Sequence, residues 1–225
     1  MMRRTRLLAL AAMLLAALLV TGCATTAKPY DYSAFKRSNP KSILVLPPVN
    51  KSPDIKATYS LLAQMSYPLA ESGYYVFPVA VVDETFRQNG LTVADDIHAV
   101  APAKLREIFG ADAALYVEIT QYGTRYAVLS SDTIVAAKAR LVDLKSGETL
   151  WTGAASASNN ENQNNNNGLI GMLVKAAIDQ IVNTLTEQGH KVAGITSQRL
   201  LAARPYGVLY GPRSPNYGKD DAPGK

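Results

Sequence analysis

The sequence predicts an α/β fold in which helices cover a mixed parallel and antiparallel sheet. Two short runs, 43–46 and 74–77, have the unbroken apolar composition of strands buried on both faces. The chain between them is predicted to form a helix that begins at Ser52-Pro53-Asp54. Its apolar residues recur at helical spacing, at Tyr59, Leu62, Met65 and Leu69. A helix that connects two such strands gives a right-handed parallel βαβ unit.

Alternation and a turn predict the antiparallel half of the sheet. Residues 113–122 place Leu115, Val117 and Ile119 on one face and polar side chains on the other. Residues 133–144 alternate in the same way, and the turn 143–148 leads into a returning strand at Leu150. Short helices are predicted at 79–88, 95–100 and 102–109. The predicted order of elements is β-α-β-α-β-β-β-α, with a last helix after residue 167.

The amino terminus has the features of a secretory signal peptide. Three arginines precede an apolar run, 7–20, which is shorter than the roughly 20 residues that a membrane-spanning helix needs. The run ends in Val20-Thr21-Gly22-Cys23, which resembles the lipobox of bacterial lipoproteins. The alternative is a buried cysteine that follows an ordinary cleavage site.

The lipobox resemblance implies cleavage between Gly22 and Cys23, followed by attachment of a diacylglycerol and an N-acyl chain to Cys23. Several acyl chains on one residue hold a protein at a membrane without spanning it. Ala24 rather than aspartate follows the cysteine, which by the sorting rule of enterobacterial lipoproteins implies the outer membrane of a Gram-negative bacterium, facing the periplasm. Apart from these acyl chains, no cofactor is expected.

Charge and cysteine content limit the partners and the disulfides that this chain can have. Removal of residues 1–22 takes away three arginines, so the formal charge falls from +5 to +2. The basic character therefore belongs mostly to the signal peptide, and nucleic acid is not an expected partner. Cys23 is the only cysteine, so no disulfide is available and the fold depends on core burial.

Four regions are predicted along the chain. They are a signal peptide at 1–22, a lipidated flexible tether at 23–40, an α/β domain at 41–193 with a mobile asparagine-rich loop at 158–167, and a C-terminal extension at 194–225. The extension is rich in Pro, Gly and Tyr, and is expected to be disordered from about residue 204.

Two segments are candidates for binding a protein partner. The first two turns of the predicted helix 168–185 are apolar nearly all round, which is typical of a helix that is buried, docked on a partner or in contact with lipid. The residues expected to contact a partner there are Leu169, Ile170, Met172 and Leu173. Tyr206 and Tyr210 could dock the C-terminal extension on another surface, since tyrosine offers a large contact area at low entropy cost.

No catalytic or metal site is predicted. His98 and His190 are the only histidines, and the chain has no CxxC or HExxH spacing, no Walker loop and no GxSxG motif. Asp95 precedes His98 at helical spacing, but an acid in the first turn of a helix is sufficient reason for it. The expected function is therefore not enzymatic.

Three long phrases closely resemble a family of bacterial lipoproteins of unassigned biochemistry that includes a neisserial surface-antigen lipoprotein. They are KSILVLPPVNKSPDIKAT at 41–58, GYYVFPVAVVDETFRQNGL at 73–91 and LREIFGADAALYVEITQYGT at 105–124. The resemblance runs from Cys23 to about Ala193. The family defines no catalytic residue that could be assigned to this chain.

A more distant resemblance joins GADAALYVEI at 110–119 with ARLVDLKSGETLWTG at 139–153. This pairing is similar to the α/β domain of the curli-secretion-channel lipoprotein, the penicillin-binding-protein activator lipoprotein and the N-terminal domain of the Tol-Pal translocation protein. It implies an accessory or assembly component of a secretion or peptidoglycan-linked envelope complex, with a curli-secretion-channel-like lipoprotein as a possible partner. The alternative is a small-ligand or lipid-binding auxiliary lipoprotein of an ABC-type transport system, which would have an apolar cavity under the sheet.

Overall fold

The computed structural model describes residues 30–127, 130–159, 161, 188–203 and 207–219, without the side chains of 125–131. The chain divides into a segment Met1–Tyr30 and a unit Asp31–Lys225, and nearly all described residues belong to the second. None of the helices in these ranges is long and apolar enough to cross a membrane.

The described residues form six helices and six strands. The helices are α1 Ser33–Ser38, α2 Ala57–Glu71, α3 Val79–Gln88, α4 Ala94–Ala99, α5 Pro102–Phe109 and α6 Gln188–Leu201. The strands are β1 Ser42–Val45, β2 Val49–Asn50, β3 Tyr75–Val76, β4 Ala113–Ala127, β5 Ser130–Asp143 and β6 Thr149–Ser158.

The strands make one mixed sheet in the order β3-β1-β4-β5-β6, with β2 paired to β4. β1 runs parallel to β3 and β4, whereas β4, β5 and β6 are successively antiparallel. The predicted fold class is therefore confirmed, including the parallel unit β1-α2-β3 and the hairpin between β5 and β6.

Each face of the sheet has its own helical cover. The face that carries Leu115, Val117 and Ile119 packs against α2 and α6, and the three side chains are at most 1% exposed. On the opposite face, α3, α4 and α5 cover one end of the sheet. Their core cluster includes Leu44, Leu46, Phe86, Ile97, Leu105 and Ala114. The rest of this second face lies outside that cluster.

Helix α2 begins later than its N-terminal signal predicts. Its first residue is Ala57, and the cap residue Lys56 makes no side-chain capping bond. Ser52 does not cap the helix, because the Asn50 side chain accepts hydrogen bonds from both the Ser52 backbone N–H and its hydroxyl. The Asp54 carboxylate accepts from the Lys56 N–H, so local turns precede the helix.

The expected tether is partly folded onto the unit. Residues 33–38 form α1, and its Phe35 side chain is 4% exposed. The Ser38 hydroxyl donates to the Asp143 carboxylate at the end of β5. The described part of the region 23–40 therefore differs from a flexible linker, because one aromatic side chain and one polar contact fix it to the sheet.

The C-terminal extension also differs from the expected disorder where it is described. Val208 and Leu209 are 1% and 7% exposed, and the Tyr74 hydroxyl donates to the Leu209 carbonyl at 2.6 Å. The Gly211 N–H donates to the Ser72 carbonyl at 2.8 Å. We call residues 207–213 the C-terminal clasp. It is ordered because its two apolar side chains enter the core.

Helix α6 crosses the predicted domain boundary at residue 193. Its buried residues are Val192, Ala193, Thr196, Ser197, Leu200 and Leu201. The Thr196 hydroxyl donates to the Val135 carbonyl of β5 at 3.1 Å, and the Ser197 hydroxyl donates to the Gln64 carbonyl of α2 at 2.9 Å. The helix predicted at 168–185 and most of the loop 158–167 lie outside the described residues.

Candidate functional site

The uncovered part of the second sheet face forms an open groove with a volume of about 690 Å³. We call it the polar groove and define it by His98, Tyr116, Glu118, Lys138, Arg140 and Thr152, of which Tyr116 is buried and also belongs to the core cluster. It exists because α3, α4 and α5 cover only one end of this face. The side chains of Glu118, Lys138 and Arg140 are consequently exposed, as the polar positions of an alternating strand can be when no helix covers them.

Strand register determines which side chains of the groove are neighbours. Glu118 of β4 lies opposite Lys138 of β5, and Tyr116 lies opposite Arg140. The Arg140 guanidinium carbon lies 4.1 Å from the centre of the Tyr116 ring, in a cation–π contact. Burial raises the pKa of the Tyr116 hydroxyl, although the charge of Arg140 acts in the opposite direction.

The groove offers two positive charges to a ligand. Among the described residues, neither Lys138 nor Arg140 forms an ion pair within 4 Å of a carboxylate. Glu118, although it lies opposite Lys138, makes no such pair either. Because an exposed lysine and arginine on adjacent positions of one face can both reach the same anionic group, the groove is suited to carboxylate or phosphate ligands.

His98 of α4 forms one wall of the groove. Its Nε2–H donates to the Pro47 carbonyl at 3.0 Å, and its ring meets the Tyr116 ring edge-on at 5.2 Å. Burial lowers the pKa of His98, and the positive charge of Arg140 lowers it further. Asp95 points elsewhere and pairs with Lys51 at 3.1 Å. The structure therefore does not bring Asp95 and His98 together as an acid–base pair.

The lowered pKa of His98 makes a pH-dependent contribution to stability. A histidine with a folded-state pKa below its ordinary 6.5 remains neutral in the native state while the unfolded chain takes up a proton. The contribution of His98 to the free energy of unfolding is fully present above pH 6.5. It decreases as the pH falls from 6.5 towards the pKa that His98 has in the folded state. We expect His98→Gln to flatten the pH dependence of the free energy of unfolding below neutrality, as measured by urea titration. An unchanged slope in His98→Gln, together with an NMR-measured pKa at or above 6.5, would contradict this.

A second polar cluster joins α2, α6 and β4. The Ser60 hydroxyl oxygen lies 2.9 Å from His190 Nδ1, and Gln64 Nε2 lies 2.6 Å from His190 Nε2. The Tyr122 hydroxyl donates to Ser60 at 2.7 Å, just after an irregularity in β4 between Ile119 and Gln121. Its members are up to 130 positions apart in the chain, so no local pattern could have predicted the cluster. It braces the two helices that cover one sheet face.

Most of the residues proposed from sequence lie outside the described ranges. They are Gly22, Cys23, Leu169, Ile170, Met172, Leu173 and Tyr206. Tyr210 is described and lies half-buried in the clasp. The lipid attachment and the partner-binding residues therefore remain predictions. Within the described ranges, no group of three or more His, Cys, Asp or Glu side chains is placed to hold a metal ion.

Comparison with known proteins matches the chain to lipoproteins in a family model, a curated sequence and a crystal structure. The family model "Putative lipoprotein GNA1162-like" matches residues 30–213. The curated "Putative lipoprotein NMB1124/NMB1162" of Neisseria meningitidis serogroup B is 52% identical over 204 residues, or 89% of this chain and 94% of the relative. The crystal structure of lipoprotein GNA1162 from Neisseria meningitidis is 58% identical with a TM-score of 0.54, covering 64% of this chain and 100% of that chain.

A further solved structure has much lower similarity. It is a PelC dodecamer from Paraburkholderia phytofirmans, which is 10% identical with a TM-score of 0.42 and covers 78% of this chain and 91% of that chain. The family match, by contrast, extends over both the polar groove and the clasp.

Proposed function

The chain belongs to the GNA1162-like lipoprotein family, and from this premise we propose that it is a lipid-anchored, non-enzymatic docking component of a cell-envelope protein complex. In this proposal Cys23 carries the acyl chains, and the folded unit faces the periplasm from the outer membrane. A protein partner binds in the polar groove. A curli-secretion-channel-like lipoprotein is the partner class that the distant sequence resemblance suggests.

The observation that supports docking is the pair of exposed cations in the groove, for which no described carboxylate is an ion-pair partner. Lys138 and Arg140 project from adjacent positions of one sheet face, and the exposed Ala154 of β6 pairs with Lys138. A partner that presents an acidic segment would find two complementary charges there, with the Tyr116 ring beneath one of them. Complementary charges of this kind determine which partner binds and how quickly it binds.

The charged and positioned side chains of the groove support binding. Arg140 remains protonated at physiological pH and can hold an anionic group. His98 donates from Nε2 to the Pro47 carbonyl at 3.0 Å, which fixes the orientation of its ring in the groove wall. This arrangement supports a role in recognition.

The proposal is tested by purifying the lipidated protein from membranes in mild detergent and identifying copurifying proteins by mass spectrometry. We expect the double variant Lys138→Glu, Arg140→Glu to retain at least about tenfold less of a stoichiometric partner, because charge repulsion replaces attraction. The matched control is Lys104→Glu, Lys191→Glu, which makes the same change of charge on α5 and α6. Equal partner recovery from both double variants would contradict docking in the groove.

A second candidate function rests on the charges of the groove. The groove has a volume of about 690 Å³, but it is open and polar, unlike the enclosed apolar cavity that a lipid carrier would have. An auxiliary lipoprotein of an ABC-type transport system could hold an anionic small molecule there. The same purification separates the two candidates, because native mass spectrometry would then find a bound small molecule and no stoichiometric protein.

A further inference from the structure

A second group of positive charges lies at the end of the sheet where the folded unit begins. At this end β1 starts, β4 starts and β5 finishes, since Ile43 pairs with Ala113 and Ala113 pairs with Asp143. Five basic residues come from segments that meet here, and we call them the basal patch. They are Lys36, Arg37, Lys41, Arg106 and Lys145, and all five are exposed.

Direct contacts hold the segments of the basal patch together. Arg37 of α1 pairs with Glu148 of the turn after β5 at 2.9 Å. The Lys41 N–H donates to the Asp112 carboxylate at 3.0 Å, and Arg106 lies 3.9 Å from the same carboxylate. The basic residues therefore belong to one end of the unit, although up to about a hundred positions separate them in the chain.

Three carboxylates in contact with these segments are engaged locally, although their hydrogen bonds leave the negative charge in place, and the five basic residues outnumber them. Glu148 pairs with Arg37, and Asp112 accepts from the backbone and the hydroxyl of Ser42. Asp143 accepts from Ser38, Lys145 and Ser146. By contrast, Lys36, Lys41 and Lys145 form no ion pair with any described carboxylate. Three ammonium groups are thus available to an external anion.

Chain length keeps this end close to the proposed anchor. Eight peptide units separate Cys23 from Asp31, where the folded unit begins. Even fully extended, they span at most about 29 Å. Since α1 follows at once and carries Lys36 and Arg37, a lipid on Cys23 would keep the basal patch within reach of the bilayer surface.

We propose that the basal patch binds the anionic phospholipid headgroups of the membrane that holds the anchor, and so orients the unit on that membrane. The proposal builds on the anchored state proposed above, but it concerns a different surface from the polar groove. The charge sign fits because anionic lipids attract Lys and Arg that lie within a Debye length of the surface. The opposite end of the sheet would then point away from the bilayer.

The test uses the mature chain with Cys23→Ser, so that no acyl chain contributes, and measures cosedimentation with phosphatidylcholine vesicles with or without phosphatidylglycerol. At about 0.1 M ionic strength, we expect roughly tenfold stronger partitioning onto vesicles with about 30% anionic lipid. We expect the triple variant Lys36→Glu, Lys41→Glu, Lys145→Glu to lose this preference, and raised salt to weaken it in the parent chain.

The matched control is Lys51→Glu, Lys104→Glu, Lys191→Glu, which changes the net charge equally but leaves both the basal patch and the polar groove intact. It should keep most of the preference for anionic vesicles. Circular dichroism establishes that each variant is folded. Equal partitioning of the parent chain onto both kinds of vesicle, or equal loss in both triple variants, would overturn the proposal. Neither result would affect the proposed function, which is judged by partner recovery with the lipidated protein.

Discussion

Gly73→Ala is expected to lower the free energy of unfolding by about 3 kcal/mol. Gly73 has φ +96°, a conformation that costs an L-residue roughly 1–2 kcal/mol. A Cβ atom there would also lie 2.4 Å from the Ser214 backbone nitrogen and 2.8 Å from the Gly211 carbonyl oxygen. Backbone atoms cannot move aside as a flexible side chain can, so the clasp must shift away from the end of α2.

Gly147→Ala is the matched control for the Gly73 experiment. Gly147 also has positive φ, at +75°, but a Cβ atom there would meet nothing within 4 Å. It should therefore show only the conformational cost of about 1 kcal/mol. Urea denaturation of the mature chain with Cys23→Ser would give both values. Equal losses in the two variants would mean that close packing of the clasp against Gly73 contributes nothing.

The loss at Gly73 would come from one connected set of contacts. The Gly211 N–H donates to Ser72, the Arg213 N–H donates to the Gly73 carbonyl, and the Arg213 guanidinium lies over the Tyr75 ring at 5.4 Å. Tyr75 belongs to β3, one of the two edge strands of the sheet. The clasp therefore packs beside an edge that would otherwise be open to pairing with another chain.

Local patterns were sufficient to predict five of the six described strands, whereas the two-residue strand β2 was missed. The buried runs of β1 and β3 and the alternation of β4 and β5 are properties of consecutive residues, so their strand character could be read directly. The turn at Asp143–Glu148 has Gly147 at φ +75°, as the hairpin prediction requires. The order of elements then left few arrangements other than a mixed sheet with helices on both faces.

Helix α6 and the clasp could not be predicted in the same way, because distant contacts stabilise them. Two of the buried positions in α6 are Thr196 and Ser197, whose hydroxyls bond to carbonyls of β5 and α2, so its apolar stripe is weak in the sequence. Leu209 is fixed by Tyr74, which lies 135 positions earlier. A segment rich in Pro, Gly and Tyr resembles a disordered tail until that partner is known.

The sequence predicted the side chains that line the polar groove, but not that helices leave them uncovered. The alternation of β4 and β5 already placed Tyr116, Glu118, Lys138 and Arg140 away from the core stripe. What alternation cannot predict is whether a helix covers those side chains, because the positions of α3, α4 and α5 depend on the whole fold. The sequence pattern therefore favoured apolar helix residues as partner contacts, and the charged sheet face became apparent only in the folded structure.

Trp151→Ala is expected to destabilise the unit by about 3–5 kcal/mol, which is the usual cost of removing a buried tryptophan. Trp151 is the only tryptophan in the chain and is 1% exposed. It pairs across strands with Leu141, and its ring occupies the space beside Gly153, where a Cβ atom would lie 2.2 Å from Trp151 Cζ2. Deleting the ring would leave a cavity that these strand backbones cannot close.

Trp151→Phe distinguishes the free-energy cost of the cavity from any effect of the substitution on strand pairing. Phenylalanine keeps an aromatic ring and high β-propensity, so it should cost only about 1–2 kcal/mol. Thr149→Ala, at an exposed position of the same strand, should cost about 0.5 kcal/mol or less. Because the alanine variant lacks the tryptophan signal, unfolding is followed by far-ultraviolet circular dichroism. If Trp151→Ala and Thr149→Ala cost the same, then β6 is held by its backbone hydrogen bonds, and the Trp151 ring does not stabilise the core.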